Sequence, residues 1–386
     1  MPVLNRIAAY AGDMTAWRRH LHAHPELKFD CHATAAFITE RLREIGADEI
    51  HGGIAGTGIV ALIRGRDEGP VIGLRADMDA LPIAKTTGAD YASTVPGRMH
   101  ACGHDGHVAM LLGAARYLAE TRNFAGTAAL IFQPAEEDGG GGEVMVKEGI
   151  MDRFGIREVY GIHNVPNLPF GSFHTAPGPL LAAVDTARVT VTGKGGHGAN
   201  PHECVDPVVA VVGMVGALQT IVTRNVPAIE QAVLSVTQIH AGTASNIIPE
   251  TAWFEATIRS FDPAVRALLR KRVHEIVEGQ AAAFGVSAEI AYDWGYPATV
   301  NHEREARFAA EVAREIAGEG AVDADAPREM GAEDFAYMLE ARPGAYLFLG
   351  TGPGAGLHHP RFDFNDEAAP VGASFLARLV ERALPV

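Results

Sequence analysis

The stretch Ala128-Ala-Leu-Ile-Phe-Gln-Pro-Ala-Glu-Glu-Asp-Gly-Gly-Gly-Gly142 begins as an unbroken apolar run and ends as acid and glycine. Such a run reads as a strand buried on both faces, the habit of parallel sheets. Residues 71–74, 159–162 and 345–349 form runs of the same kind, and 54–63 reads as a further strand. Helical patterns lie between them. Residues 35–45 read as a helix ending near Gly46. Val108, Leu111, Leu112, Ala115 and Leu118 recur at helical spacing, so a helix follows His107. Residues 303–317 are helical, and a helix closes the chain after Pro370. This alternation predicts an α/β fold, a mainly parallel sheet covered by helices.

The middle of the chain follows a different rule. Ala187, Val189 and Val191 alternate with polar residues, as in a half-buried strand. Asp206-Pro207 and Asp262-Pro263 place Asp at N-cap and Pro at N1 of two helices. The first carries Val208, Val211, Val212, Val215, Leu218 and Val222; the second stops near Gly285. Strands at 233–239, 252–258 and 288–292 complete a β-α-β-β-α-β order, the split unit of ferredoxin-like domains. The expected organisation is a catalytic domain in two parts, 1–183 and 298–386, with an inserted α+β lid at 184–297. No internal repeat or low-complexity segment is visible.

The formal net charge is −15, with 32 basic against 47 acidic residues, which disfavours nucleic acid and anionic membranes as partners. Cys31, Cys102 and Cys204 are too few for a disulfide framework and favour a reducing compartment. The first residues lack a basic segment followed by an apolar one, and no apolar run approaches the length of a membrane span. A cytoplasmic protein is expected.

Histidine and carboxylate gather at predicted strand and helix ends, where open α/β sheets place their sites. The run at 71–74 leads into Asp77 and Asp79, 128–132 into Glu136 and Glu137, 159–162 into His163, and 345–349 into a glycine-rich loop with His358 and His359. His100-Ala-Cys-Gly-His-Asp-Gly-His107 precedes a helix. Cys102 and His104 are two apart and suit zinc or other first-row ions. A purely structural zinc site would ask for four N or S ligands, usually with paired cysteines. In Glu136-Glu137 one carboxylate can bind metal while the other takes a proton from water; a solvated acidic patch is the plainer alternative. His163 alone would read as a core histidine, and His358-His359 as surface residues. His197, in Gly193-Lys-Gly-Gly-His-Gly198, is either a ligand-contacting residue of a lid or part of an ordinary hairpin.

Eight segments then align with one family. They are Arg18-Arg-His-Leu-His-Ala-His-Pro-Glu-Leu27, Leu74-Arg-Ala-Asp-Met-Asp-Ala-Leu-Pro82, Met99-His-Ala-Cys-Gly-His-Asp-Gly-His107, Gln133-Pro-Ala-Glu-Glu137, Gly193-Lys-Gly-Gly-His197, Gly242-Thr-Ala-Ser-Asn-Ile-Ile-Pro249, Met330-Gly-Ala-Glu-Asp-Phe335, and Leu357-His-His-Pro360 with Asp363-Phe-Asn-Asp366. In this order they resemble the M20 metallopeptidase family, specifically its amidohydrolase branch of hippurate hydrolase-like, N-acetylamino-acid and indole-acetyl-amino-acid hydrolases. The resemblance implies a metallopeptidase-like catalytic domain with a ferredoxin-like lid. It implies two divalent ions per subunit (Zn, Mn, Co or Ni) held by Cys102 as bridge with His104, Glu137, His163 and His358. It further implies Glu136 as general base, His197 as a lid residue contacting substrate or oxyanion, Asn246 near the substrate carboxylate, and Asp77 as an acid orienting a ligand imidazole. The implied substrate is a small N-acyl amino acid, and the implied assembly a homodimer or higher homo-oligomer through the lid. A dipeptidase or carboxypeptidase, or an N-acyl-diaminopimelate deacylase, is the alternative within the family; a scaffold with a lapsed site conflicts with the intact ligand set. Cys31, Val165 and His359 stand where relatives often carry an acid, Trp and Asn, which bears on the pocket and not on the ligands.

Overall fold

A computed structural model describes residues 3–386. Its strands in chain order are β1 (Glu49–Ile54), β2 (Gly58–Arg64), β3 (Asp67–Asp77), β4 (Ala125–Gln133), β5 (Ile156–Val165), β6 (Phe173–His174), β7 (Gly178–Leu181) and β8 (Ala183–Thr192). There follow β9 (Gly196–His197), β10 (Ala232–Ala241), β11 (Ile247–Ile248), β12 (Thr251–Ser260), β13 (Ser287–Trp294), β14 (Thr299–Asn301), β15 (Val322–Asp323) and β16 (Gly344–Gly350).

The chain packs as two compact units. Of the described residues, the larger contains 3–180, 299–327 and 334–386. Its eight-stranded sheet has the order β1-β2-β4-β3-β5-β16-β6-β15. The centre, β4-β3-β5-β16, is parallel throughout. The flanks are not: β1 pairs β2, β2 pairs β4 and β16 pairs β6 in antiparallel fashion. The sheet is thus mixed with a parallel heart. Residues 128–132 lie in β4 and are fully buried, as an all-apolar run between two neighbours demands.

Two local readings are refined. Residues 54–63 do not form one strand. Ala55 (φ 48°) and Gly56 (φ 82°) turn the chain back, so β1 and β2 make a hairpin. The apolar residues on both sides of that turn hid it. The helix expected after His107 begins at His104 and runs His104–Thr121. Its first turn holds site residues instead of an apolar stripe, so hydrophobic periodicity started one turn late.

The smaller unit contains residues 181–298 and the segment 328–333. Its antiparallel sheet has the order β10-β12-β8-β13. The helices Pro207–Leu218 and Pro263–Phe284 supply Ala210, Val211, Met214, Leu218, Leu269, Val273 and Val277 to a core with Ala187, Val189, Val191, Phe254 and Ile258. Full burial of each larger aliphatic side chain contributes roughly 1.5–3 kcal/mol. The caps are as the sequence suggests: Asp206 accepts the Val208 N–H at 2.8 Å, and Asp262 accepts those of Ala264 and Val265 at 2.8 and 2.9 Å. Val222 lies beyond a break at Gln219, in the short helix Thr220–Arg224. The stretch Pro207–Arg224 is apolar enough on average to cross a membrane, with mean hydropathy 1.5. Its inner face, however, is part of this core.

Candidate metal centre

Every implied metal donor lies in the larger unit, near or beyond the carboxyl ends of its central strands or at the start of the His104–Thr121 helix. Cys102 and His104 flank Gly103, which has φ 97°. A Cβ at Gly103 would lie 2.1 Å from Asn164 Oδ1, so both the dihedral and the space call for glycine. Glu136 and Glu137 follow β4 through Ala135, which is itself left-handed (φ 56°). Asp79 fixes this turn: its two carboxylate oxygens accept the Glu136 and Glu137 N–H groups, each at 3.1 Å. His163 lies within β5. His358 (φ 61°) lies in a loop, its N–H donated to Ala101 O at 2.8 Å.

The donors fall into two groups that share one residue. Cys102, His104 and His163 offer ligand atoms within 4.8 Å of one another, and so do Cys102, Glu137 and His358. His163 Nε2 is 3.4 Å from Cys102 Sγ, and His358 Nε2 is 3.4 Å from Glu137 Oε2. Glu136 stands at the edge of both, its Oε2 3.8 Å from His104 Nε2.

Hydrogen bonds at the far sides of the rings set which nitrogens can coordinate. His104 Nδ1 lies 2.9 Å from Asp79 O and His163 Nδ1 lies 2.8 Å from Asn164 O. Each Nδ1 therefore carries the proton, and each Nε2 presents its lone pair, the arrangement typical of metal-binding imidazoles. His104 Nε2 and Glu137 Oε1 are buried without a hydrogen-bond partner among the described residues. Sulfur, imidazole and carboxylate converging with unused lone pairs fit a pair of first-row divalent ions.

The electrostatics point the same way. Burial opposes charge on His104, but Asp77, Asp79 and Glu137 outweigh it and push the ring up to about 10. Positive charge is favoured at this spot. Burial, with Glu137, Glu136 and Asp77 around it, pushes the Cys102 thiol well up; a bound cation inverts that preference and favours thiolate. Burial, with His107 nearby, holds His163 well below the usual imidazole range, so it is neutral and able to donate its lone pair.

Asp77 makes its shortest imidazole contact with a histidine outside the implied donor set. Its Oδ1 is 2.5 Å from His107 Nδ1, while Oδ2 is 3.6 Å from His104 Nε2. His107 Nε2 accepts the Asn164 N–H at 3.1 Å, so both of its nitrogens are occupied. The residue that orients His104 is Asp79, through its backbone carbonyl. Burial works against charge on Asp77, but Arg75, His104 and His107 hold its pKa well below the carboxylate range. Arg75 also binds Gln133 Oε1 at 2.9 Å and Asp334 Oδ1 at 3.0 Å, and Asp334 Oδ2 accepts the Gly142 N–H at 2.8 Å. Asp79, His107, Arg75, Gln133 and Asp334 were not singled out as site residues. All five share one signal in the sequence: each is a polar or charged residue inside a quoted segment, and each proves fully or almost fully buried.

His197 and Asn246 come together in the smaller unit. β9 pairs with β11 through His197 and Ile247, and the Gly198 N–H is donated to Asn246 O at 2.8 Å. Both residues are exposed. Of the departures, Cys31 is fully buried and donates to Lys28 O at 3.1 Å, Val165 ends β5 half-buried, and His359 is exposed; none joins the donor groups.

Comparison with known proteins gives a consistent picture. Residues 73–382 match the family model described as peptidase family M20/M25/M40. The chain is 42% identical over 368 residues to an N-acetyl-L-cysteine deacetylase of Bacillus subtilis (strain 168), covering 95% of this chain and 87% of the relative. It is 38% identical over 387 residues to a hippurate hydrolase of Campylobacter jejuni, with 100% of both chains covered. Among solved structures, a dinuclear metal-binding peptidase of the M20 family from Bacillus subtilis superposes with a TM-score of 0.84 at 36% identity, covering 98% of this chain and 99% of that one.

Proposed function

The chain belongs to peptidase family M20/M25/M40, and from that premise we propose that it is a metal-dependent amidohydrolase cutting the amide bond of N-acyl amino acids. The products are a carboxylic acid and a free amino acid. The observation that carries this reading is Cys102, common to two donor groups that together use five residues from four separate parts of the chain. Two divalent ions there, of zinc, manganese, cobalt or nickel, would polarise the amide carbonyl and acidify the attacking water.

The remaining work belongs to side chains. Glu136 takes the proton of the attacking water and delivers it to the leaving nitrogen. Its backbone is held by Asp79, so the carboxylate is placed before substrate arrives. Asp77 holds His107, which braces the Asn164 N–H beside His163. His197 donates to the carbonyl oxygen as negative charge develops, and Asn246 binds the carboxylate of the amino-acid product half. The acyl group is acetyl-like or benzoyl-like, in keeping with the named relatives. β10 ends the four-stranded sheet with residues 237–241 exposed, an open edge that suits pairing with a second copy as a homodimer. The free cysteines suit a reducing, cytoplasmic setting.

The test is Glu136→Gln. Metal content stays at the wild-type level and turnover of N-acetyl and N-benzoyl amino acids falls at least about a hundredfold; near-normal turnover removes Glu136 from the role. The solved relative described as a peptidase favours a second reading, a dipeptidase or carboxypeptidase. A panel with free, acetylated and benzoylated amino ends separates the two.

A further inference from the structure

Arg18, first residue of the segment Arg18-Arg-His-Leu-His-Ala-His-Pro-Glu-Leu27, touches none of the metal donors, yet it is fully buried. Its Nε and Nη2 are each 2.6 Å from Asp366 Oδ1. Its Nη1 is 3.7 Å from Asp105 Oδ2 and 3.7 Å from Asp363 Oδ1. Tyr91 lies over the guanidinium, with Cζ 4.5 Å from the ring centroid. Asp105 follows the donor His104 directly. Asp363 and Asp366 come shortly after the donor His358. One guanidinium thus joins the two loops that bring donors from opposite ends of the chain.

The other contacts of the His358 loop run the same way. Lys85 Nζ binds Asp363 at 2.9 Å and Phe362 O at 3.0 Å, and Tyr91 donates its hydroxyl to Asp363 at 2.6 Å. The Phe364 ring packs on Gly106, where a Cβ would lie 2.3 Å from it. The segment after His358 is therefore docked on the first turn of the His104–Thr121 helix.

The two donor groups depend on this docking unequally. His104 is on a helix with its ring held by Asp79 O, and His163 is inside a paired strand with its ring held by Asn164 O. His358 is on a loop and its side chain is 52% exposed. Its backbone is held on one side by its own N–H to Ala101 and by Leu357 packing on the core, and on the other by the docking of the segment behind it, which completes the constraint on its distance from Cys102 and Glu137.

We propose that Arg18 is a positioning residue: it locks the His358 loop to the Cys102–His104 loop and thereby sets metal affinity at the Cys102–Glu137–His358 group, with little influence on Cys102–His104–His163. This rests on the two-ion reading above. Replacement of Arg18 by Lys keeps a positive charge but loses the planar fork that reaches both sides.

The experiment titrates the metal-free full chain with Zn(II) by calorimetry and with Co(II) by absorption, using wild type, Arg18→Lys, Asp366→Asn and His358→Ala. His358→Ala identifies which binding phase belongs to the loop. Asp366→Asn weakens the lock from its solvent-facing end and decides the matter if Arg18→Lys does not fold. The expected result is a loss of about 10- to 100-fold in affinity for the loop-side ion, as for other residues that orient ligands. The other ion shifts by less than about threefold and keeps its thiolate–cobalt absorption. Unchanged affinity at both sites, or equal loss at both, overturns the role of Arg18. A wild-type chain that binds fewer than two ions overturns the two-ion reading itself and, with it, this proposal.

Discussion

The smaller unit and the larger one handle polar residues in opposite ways. In the smaller unit, Asp206 and Asp262 cap helices, the outward positions of β12 carry Trp253, Glu255, Thr257 and Arg259, and the core is apolar and mainly aliphatic. Its buried Asp185 is matched by Arg266, at 2.6 Å, and by the Tyr292 hydroxyl. The larger unit buries Asp77, Asp79, His100, His104, Asp105, His107 and Glu136 close to one another. Burying that many ionisable groups opposes folding unless each is bonded or neutralised. Apart from the exposed hairpin that carries His197 and Asn246, the smaller unit is built for shape, whereas the larger one accepts a local penalty to hold a site. Substitutions of the same chemical kind should therefore have different consequences in the two.

The largest effect is expected at Cys102. Cys102→Ala removes the one atom that both donor groups share, so both ions should be lost or bound only weakly. Loss of metal stabilisation worth several kcal/mol corresponds to a fall in turnover on the order of a thousandfold or more. Metal analysis after gel filtration checks this directly; two retained ions would dissolve the shared-donor geometry. Removal of the smaller unit's thiol, Cys204→Ala, is expected to leave metal content unchanged, since Cys204 is in none of the donor groups.

A milder contrast uses one substitution in two places. Gly103 and Gly285 both have positive φ, 97° and 71°. Gly285 closes the Pro263–Phe284 helix with open space around its Cα, so Gly285→Ala meets only the left-handed penalty, about 1 kcal/mol. Gly103→Ala meets that penalty and the Asn164 side chain too. We expect a loss of roughly 2–3 kcal/mol in urea unfolding and weaker binding of both ions, because Cys102 and His104 are its immediate neighbours. Equal losses at the two glycines, with metal affinity unchanged in both, would show that the turn between the donors tolerates movement.

The same contrast explains what could be read from the sequence. The main strands and the two capped helices of the smaller unit were legible, since alternation, Asp-Pro caps and a closing glycine are local signals that burial on one face makes regular; the break at Gln219 and the segment 328–333 were not. β4, β5 and β16 were legible as apolar runs. The β1–β2 hairpin was not, because its turn is flanked by apolar residues on both sides. The start of the His104–Thr121 helix was missed for a related reason: where a helix opens into the site, chemistry replaces the hydrophobic stripe. Within the site, Cys102, His104 and Glu137 stood out as candidates by residue type and position, whereas His163 and His358 entered as donors only through the family resemblance. The supporting contacts stayed hidden. Nothing in spacing says that His104 is held by a backbone carbonyl of Asp79, that Asp77 serves His107, or that Arg18 reaches Asp366, 348 positions away. Such contacts are products of tertiary packing.

The smallest expected effect tests whether the smaller unit's polar residues are confined to shape. Asp262 accepts two N–H groups at the start of the Pro263–Phe284 helix, and Asp262→Ala leaves both without that partner. Because this helix end is exposed, water replaces the lost acceptor and the cost should be about 1 kcal/mol. Two of the three tryptophans, Trp253 and Trp294, are in the smaller unit, so fluorescence-detected urea unfolding reports mainly on it. Metal stoichiometry and kcat should match wild type, since Asp262 is neither beside a candidate donor nor next to His197 or Asn246 in the sheet. A kcat loss beyond about threefold, at a stability cost of about 1 kcal/mol, would mean that the helix end helps to place the His197 hairpin, and the division between a unit of shape and a unit of chemistry would have to be redrawn.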